Sequence, residues 1–437
     1  MSVSDQKTGN GRRGRLHYAW LILVGCCFMQ AGGLGAVLDA CGVFFVPVCE
    51  DLGLARSEIS LYLTFYFIAT IFAMPIVGKW LTKYDLNRVL SIAFAFVVAA
   101  VAAMGFYTAP WQWWISGVVF GLAGSFIFVV PAPILIDNWF KKHRGLALGI
   151  AMSFSGIGGA LLSPVFTAVI QSLGWREAYL TVAAVIAVLV LPWTLFVFKL
   201  RPEDIGMKPY GWSEELERKE QQRRAEKHEL SGVPLKKAIK TIPFACMFLF
   251  AGLIAYFGGF NAQLPGYAQS IGFDAMVASS LLTAVMLGNV IEKLVIGWLN
   301  DKIGVRHTIN IQLVMVALGL VGFIAAGNNI VLLYASAFLF GAQNSLVSVS
   351  TPLVIREIFG ERDFPQIFAN ARIGTGAIGC LGPVTVAGIY DATGSFVPAF
   401  GVGIAVVVVA FITVHVAYVF KGRLHWEKGG STASFKK

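Results

Sequence analysis

Residues 288–301 read GNVIEKLVIGWLND, a stretch that places two adjacent charges, Glu292 and Lys293, inside an apolar segment that ends in a polar loop. An ionised side chain near the centre of a bilayer costs at least ~2.5–3.5 kcal/mol, so charges in a membrane-spanning segment usually serve a function. The interpretation of this pair therefore depends on whether the chain is a membrane protein.

The composition of the whole chain indicates that it is. Of its 437 residues, 57% are apolar and 13% are charged, and the mean hydropathy is +0.72. Soluble domains carry roughly 25% charged residues. The net charge of +10 does not indicate nucleic-acid binding, because the basic residues lie in small groups between long apolar runs, apart from one basic segment. We therefore expect a lipid bilayer, and no nucleic acid, around this chain.

Twelve apolar runs approach or exceed the ~20 residues that a membrane-spanning helix needs, which predicts an all-α membrane protein. The predicted spans are 18–47, 57–77, 88–108, 111–136, 145–170, 176–198, 243–265, 275–298, 307–326, 329–355, 366–389 and 395–420. The polar segment 199–242 separates two six-helix halves, 18–198 and 243–420, and tails of 1–17 and 421–437 flank them. Within this central segment, ELERKEQQRRAEKHEL predicts a short amphipathic helix.

The basic residues also predict the orientation. Every Lys and Arg except Arg56, Arg176, Lys293 and Arg372 falls in a segment on the N-terminal side of the membrane. Lys and Arg are enriched in cytoplasmic loops, so both termini and the central segment are predicted to be cytoplasmic, in the cytoplasmic (inner) cell membrane. The first apolar run is too long for a cleaved signal peptide.

The second half repeats the first. Four pairs of landmarks share one offset of 219 residues (272 − 53 = 219): Gly53 and Gly272, Gly78 and Gly297, Phe140 and Phe359, Pro164 and Pro383. A single offset predicts two pseudo-symmetric halves of the same orientation, related by an axis along the membrane normal.

Two parallel six-helix halves joined by a long loop resemble the major facilitator superfamily. Its signature after the second helix of a half, Gly-x-x-x-Asp-[Lys/Arg]-x-Gly-x-[Lys/Arg]-[Lys/Arg], is nearly whole in the second half as Gly297, Asp301, Lys302, Gly304, Arg306 and His307. The first half keeps Gly78, Lys83 and Arg88. The resemblance implies that Asp301, Lys302 and Arg306, with Lys83 and Arg88, latch the cytoplasmic face when the transporter is open to the outside.

Within the superfamily, GVFFVPVCEDLGLARSEIS (42–60) and NWFKKHRGLALGIAMSFSGIGGALLSP (138–164) resemble the monocarboxylate porter and oxalate/formate antiporter group. The porters carry an Arg in the eighth helix four residues before a Gly, with an Asp four residues earlier; here these positions hold Lys293 and Asn289. Where the porters place a Lys in the first helix, this chain has Asp39. The resemblance therefore implies carboxylate binding with a different arrangement of charges.

The ionisable residues inside predicted spans are Asp39, Glu292, Lys293 and Arg372, with Asp137 near a helix end. In the superfamily the first, eighth and eleventh helices line the space between the halves, so we expect Asp39, Lys293 and Arg372 to share one chamber. Lys293 and Arg372 are candidate carboxylate ligands, and Asp39 or Glu292 is a candidate proton carrier. Structural pairing of each charge is the alternative, since adjacent residues such as Glu292 and Lys293 point ~100° apart on a helix and pair poorly.

Uncharged polar side chains on the spans complete the predicted substrate site. The candidates for hydrogen bonds to a solute are Asn261, Asn289, Asn344 and Tyr66. Helix-helix hydrogen bonding explains any one of them equally well. The glycines at 155–159 are expected to permit close helix crossings, because no nucleotide-binding loop occurs inside a membrane helix.

The sequence therefore predicts a secondary-active transporter of small organic anions, mono- or dicarboxylates, that works by alternating access with proton symport or anion exchange. Larger amphipathic acids or drugs, such as bile-acid-like compounds, are the alternative substrates. No catalytic constellation is present in the spans, so we expect no enzyme, and neither a cofactor nor a metal site. A channel is disfavoured because the twofold repeat suits alternating access better than a continuous pore. A monomer is expected from the superfamily.

Overall fold

The computed structural model of the protein describes residues 17–213, 231–424 and 426–428. Within these ranges, the side chains of residues 75, 78, 79, 81, 82, 129, 144, 231, 294, 297, 301, 365, 427 and 428 are outside the description. The predicted amphipathic helix of the central segment and most of both tails also lie outside the described residues.

Twelve helices in the described part of the chain are long and apolar enough to span a membrane, and the predicted all-helical fold class is confirmed. We number them α1–α12. In the first half they are Tyr18–Leu52, Arg56–Lys83, Leu86–Met104, Pro110–Trp139, Arg144–Leu173 and Trp175–Val197. In the second half α7–α10 are Ile242–Ser270, Ala275–Ile303, Val305–Ala326 and Ile330–Phe359, α11 consists of Phe364–Ala377 and Leu381–Thr393, and α12 is Val397–Lys421.

The remaining regular structure is short. A 3₁₀ turn covers Pro202–Ile205, and a single helical turn covers Leu235–Ala238. Two strands, β1 (Ser231–Gly232) and β2 (Glu427–Lys428), pair antiparallel. Because α1 begins and α12 ends on the same side of the helix bundle, we call that side the terminal face, and the other side the opposite face.

Turn and capping residues explain where α2 begins and where α8 begins and ends. The α1–α2 turn contains Gly53 at φ 65°, a left-handed conformation that glycine adopts without strain. The Asp274 side chain caps α8 by accepting a 2.8 Å hydrogen bond from the Val277 amide, and Gly304 at φ 82° ends that helix. α2 and α8 begin 219 residues apart (275 − 56 = 219), as the sequence repeat predicts.

The repeat shifts by one residue in α4 and α10. The backbone of Gly121 packs against the Tyr66 carbonyl and the Thr70 amide, and Gly341 packs in the same way against the Val285 carbonyl and the Asn289 amide. Gly121 and Gly341 are 220 residues apart (341 − 121 = 220). The single unshifted offset predicted from the sequence therefore holds for α2 and α8 but not for this helix pair.

Contacts between the halves concentrate toward the opposite face. Among the described residues, side-chain hydrogen bonds join the halves from Thr64 to the Cys380 carbonyl (2.6 Å), from Gln263 to Ser60 (2.7 Å) and from Thr283 to the Ala160 carbonyl (2.7 Å). All three lie between the middle of the bundle and the opposite face. The two halves are thus joined on the opposite face.

Candidate substrate cavity

A polar cavity of about 330 Å³ lies between the two halves near the middle of the bundle. Its wall includes Asp39 from α1, Lys293 from α8 and Arg372 from α11. These are three of the four charges that the sequence placed inside spans, and the structure brings them together. The fourth, Glu292, does not line the cavity.

The first half contributes the acidic side of the cavity. α1 winds as a π-helix over Ala31–Asp39, a wider turn that is often found at functional sites. Asp39 is the last residue of this segment, and its Cβ lies against Gly159 of α5, where a larger residue would collide. The glycines near 155–159 therefore allow the close crossing that positions Asp39, as predicted from the sequence.

The second half contributes the basic side. Lys293 is half-buried and lines the same cavity as Asp39, and no salt bridge joins these two described side chains. Arg372 is exposed on the cavity wall, and its guanidinium lies 5.7 Å from the centre of the Phe368 ring. Tyr66 of the first half is close enough to Arg372 to interact electrostatically. Among the described side chains, neither cation forms a salt bridge.

The predicted polar candidates Asn261, Asn289, Asn344 and Tyr66 all line this cavity, together with Gln343. Each of the four amides has a buried polar atom with no hydrogen-bond partner in the described structure: Asn261 Oδ1, Asn289 Oδ1, Gln343 Nε2 and Asn344 Nδ2. Buried polar atoms are normally paired. Four unpaired amides beside two unpaired cations therefore leave this wall able to donate and accept hydrogen bonds with a solute.

The rest of the lining is apolar and was not predicted from the sequence. It comprises Leu34, Leu38, Leu63, Phe67, Met286 and Val347. Leucines and phenylalanines in a membrane span give no sequence signal that separates a cavity wall from a lipid-facing surface.

The predicted latch residues contact groups in their own half. The Lys302 ammonium lies 4.2 Å from the Trp298 ring centre, the Arg306 guanidinium 5.4 Å from that of Tyr418, and the Lys83 ammonium 5.4 Å from that of Tyr84. The Arg88 amide donates to the Asp85 side chain, and the Asp301 side chain lies outside the described part of the structure. These described contacts do not cross between the halves, which suits a terminal face that is open.

A cluster on the opposite face, which sequence reasoning missed, does cross. The Asp391 carboxylate of α11 accepts hydrogen bonds from the Arg56 and Ser57 amides at the start of α2, at 3.2 and 2.8 Å. The Arg56 guanidinium lies 4.1 Å from the centre of the Tyr390 ring, within cation–π range. The available signal was Arg56 itself, one of the few basic residues away from the terminal face. We call Arg56, Ser57, Tyr390 and Asp391 the opposite-face gate.

Two repeated six-helix halves around a central polar cavity, closed on one face, define the architecture of an alternating-access transporter. The sequence profile of the Major Facilitator Superfamily matches residues 20–282 and again residues 248–434. The chain belongs to this superfamily of transporters, and it is not an enzyme.

Curated relatives are distant and are transporters. The chain is 27% identical over 303 residues to the MFS-type transporter hasB of Aspergillus fumigatus, covering 66% of this chain and 63% of that protein. It is 25% identical over 380 residues to the probable sulfoacetate transporter SauU of Cupriavidus necator (79% and 82% covered). It is 23% identical over 415 residues to human monocarboxylate transporter 12 (88% and 77% covered). The predicted resemblance to monocarboxylate porters is confirmed at this distance.

Solved structures agree on the fold. The crystal structure of the nucleoside transporter NupG superposes with a TM-score of 0.70 at 16% identity, over 92% of this chain and 99% of that one. The likeness shows a shared fold. It carries no information on what this chain transports.

Proposed function

We propose that the protein transports small organic anions, mono- or dicarboxylates, by alternating access around the cavity between its halves. The observation that carries this proposal is the presence of Lys293 and Arg372 on one cavity wall without salt-bridge partners among the described residues. Cations within membrane-spanning helices are costly unless a compensating charge lies near them. A carboxylate held between them supplies it, with hydrogen bonds to Asn261, Asn289 and Asn344.

The charges of the cavity suggest how the anion is chosen. With Lys293, Arg372 and Asp39 all ionised, the wall carries a net charge of +1, which matches one carboxylate. When Asp39 is protonated the wall carries +2, which matches a dicarboxylate. We therefore assign Lys293 and Arg372 to anion binding, and Asp39 to tuning the charge of the cavity, with or without a coupled proton.

The size of the cavity favours small acids over large amphipathic compounds. Ligand pockets span ~300–1,000 Å³, and this cavity of about 330 Å³ lies at the lower end of that range. A drug-sized or bile-acid-like substrate would need a wider chamber than this conformation offers. The names of the relatives, a monocarboxylate transporter and a probable sulfoacetate transporter, also support small organic acids.

The distribution of basic residues and the contacts between the halves indicate the orientation of the protein in the membrane and its conformational state. Lys and Arg concentrate toward the terminal face, which we assign to the cytoplasm of the cell membrane on the positive-inside rule. The halves are joined on the opposite face, while Arg372 and Ser348 on the cavity wall are exposed. We infer that the conformation described here is inward-open.

The experiment that tests the function is thermal stabilisation of the purified protein by a panel of lactate, formate, oxalate, succinate and a bile acid. A ligand at 100 times its dissociation constant stabilises the folded state by ~2.7 kcal/mol. We expect one small acid to raise the melting temperature of the wild type and to have no effect on Lys293→Ala or Arg372→Ala. Arg356→Ala is the matched control, because Arg356 is an exposed cation paired with Glu361 at 3.2 Å, outside the cavity.

The panel also separates the alternatives. If the two cavity variants respond to the small acids as the wild type does, the cations are structural and the anion site is wrong. If only the bile acid stabilises the wild type, the larger amphipathic substrates take precedence. Flux in proteoliposomes loaded with the stabilising acid then distinguishes exchange from proton-driven symport.

A further inference from the structure

Glu292 is buried in a different place from the other charges of the spans. Its side chain is 3% exposed, and neither of its carboxylate oxygens has a hydrogen-bond partner in the described structure. It does not line the cavity to which Lys293, the next residue, contributes. An ionised carboxylate buried without donors or counter-charge is strongly unfavourable. The anion-binding function described above gives this acid no role.

The internal repeat shows where Glu292 lies. Its equivalent in the first half is Ala73 (292 − 73 = 219), and the equivalent of Gln312 in α9 is Ala93 (312 − 93 = 219). Ala73 and Ala93 line one apolar groove between α2, α3 and α4, with Trp80 and Phe96. By the repeat, Glu292 and Gln312 face the corresponding place between α8, α9 and α10, where the first half has only apolar side chains.

Helix α10 contributes hydroxyl groups to the same place. Gly341 packs against the turn of α8 that holds Asn289, and one turn further along these helices lie Ser345 and Glu292. The Gln312 side chain donates to Ser345 Oγ at 2.7 Å and accepts from Ser350 Oγ at 2.5 Å. All three of these side chains are buried. We call Glu292, Gln312, Ser345 and Ser350 the polar seam.

No other described ionisable side chain sits in the polar seam. On α8, α9 and α10, Lys293 lines the cavity, Tyr334 is bonded to Ser280 near the opposite face, and the rest are at the terminal ends of the helices: Asp301, Lys302, Arg306, His307, Arg356 and Glu357. Of the other helices that pack on these three, α1 and α11 carry Asp39 and Arg372 on the cavity wall. The other ionisable residues of the packed helices include Cys41 of α1, Arg144 at the terminal end of α5, Cys246, Tyr256 and Tyr267 of α7, and His415, Tyr418 and Lys421 of α12. The side chains that the repeat and the packing of α10 place beside Glu292 are therefore an amide and two hydroxyls.

We propose that the polar seam is a coupling-proton site, separate from the anion cavity, in which a Glu292 carboxylate oxygen takes a proton from water and later returns it to water. The proposal rests on the proposed anion transport, because a coupled proton needs a cargo. Glu292 and the cavity residues Asn289 and Lys293 share one turn of α8, so a movement of this helix that opens the seam to water also moves the anion site. In the conformation described here Glu292 is buried, which disfavours its ionised form.

The first test needs no substrate. Difference infrared spectra of the purified wild type, recorded between acid and alkaline pH, should contain the carbonyl band of a protonated carboxylic acid that disappears at alkaline pH. Glu292→Gln should lack this band, and Asp39→Asn should keep it. Gln preserves the shape and neutrality of the protonated side chain, so loss of folding does not confuse the result. A Glu292 band that persists at every pH, or no such band in the wild type, overturns the proposal.

The second test asks about coupling, with radiolabelled lactate and succinate as probes in proteoliposomes. Glu292→Gln should still exchange internal for external probe. Its accumulation of the probe under a pH gradient should be at least tenfold lower than that of the wild type. Equal accumulation by Glu292→Gln and wild type overturns the coupling role. If the wild type transports neither probe and no acid of the panel stabilises it, the proposed function fails, while the infrared result still decides whether Glu292 exchanges a proton.

A sodium-binding site is the alternative function for the oxygen atoms of the polar seam. Carboxylate, amide and hydroxyl oxygens also suit a small hard cation. Melting temperatures in sodium chloride and in choline chloride at equal ionic strength separate the two. A sodium-specific rise in the wild type that is absent from Glu292→Gln overturns the proton assignment, whereas equal melting temperatures in both salts support it.

Discussion

The two halves of the molecule share a backbone plan but line the cavity differently. The second half supplies both cations and all four amides of the cavity wall, while the first half supplies Asp39, Tyr66 and mostly apolar side chains. At the repeat-equivalent positions the first half carries Met74 opposite Lys293 and Ala73 opposite Glu292. The two halves share their helix packing, but the charged residues of the cavity occur at positions where the halves differ. The repeat therefore forms the scaffold, and the residues that depart from it form the site.

The largest effect is expected when a cavity cation of the second half is replaced by the residue at the equivalent position of the first half. Lys293→Met installs the equivalent residue, Met74, and removes the cation. Hydrogen bonds to charged groups contribute ~1.5–3 kcal/mol, so we expect the affinity for the stabilising acid to fall by roughly 10- to 150-fold. Isothermal titration of the purified variant measures this, and Lys293→Arg, which keeps the charge, should stay within about tenfold of the wild type.

Unchanged affinity in Lys293→Met would show that the cation difference between the halves is unrelated to the substrate. Arg372→Met provides an independent check on the same wall. If Arg372→Met weakens binding while Lys293→Met does not, the anion site lies toward α11 and away from α8. Both variants should keep the wild-type melting temperature without ligand to within a few degrees, because removal of an unpaired cation leaves no other described charge without its salt bridge.

A second prediction concerns the packing that the halves share. Gly121→Val and Gly341→Val each push a side chain against the backbone of a neighbouring helix, at α2 and α8 respectively. Overpacking costs about 1–3 kcal/mol, so we expect both variants to melt several degrees lower than the wild type, by similar amounts. Gly401→Val is the control, since a side chain at Gly401 meets nothing within 4 Å. Unequal losses would show that the halves are packed differently.

The twelve spans, the repeat and the charged and amide residues on the cavity wall could be predicted from the sequence, because each leaves a signal in hydropathy, spacing or misplaced polarity, whereas the apolar lining leaves none. The sequence also placed Lys293, and not Glu292, in the chamber with Asp39 and Arg372, because adjacent residues point ~100° apart on a helix, but it could not show what surrounds Glu292. It also missed the opposite-face gate. Asp391 and Arg56 lie at helix ends where charge is ordinary, and only the fold brings residues 335 positions apart (391 − 56 = 335) into contact.

A smaller effect is expected from a substitution in the opposite-face gate, where the ratio of closed to open states should change. Asp391→Ala removes two hydrogen bonds to the start of α2, and these are exposed, so we expect a loss on the order of 1 kcal/mol, or roughly fivefold in the ratio of closed to open states. Distances between spin labels at residues 54 and 395 measure that ratio. Asp51→Ala is the control, because Asp51 pairs with Arg176 at 3.3 Å within one half on the same face. An unchanged distance distribution in Asp391→Ala would show that apolar contacts alone hold this face shut.

The smallest effect is expected at the terminal end of the second half. Arg356 and Glu361 are 3.2 Å apart, with side chains 53% and 51% exposed, and exposed salt bridges contribute ~0–1 kcal/mol. Arg356→Ala should therefore shift the melting temperature by no more than a few degrees and leave ligand affinity unchanged, as measured by the same melting and titration experiments. The same type of residue, Arg372, sits on the cavity wall without a partner, and its loss is expected to act on affinity and not on stability. A large loss of affinity in Arg356→Ala would mean that charge anywhere in the second half draws the anion in, and that the cavity wall is not what distinguishes the halves.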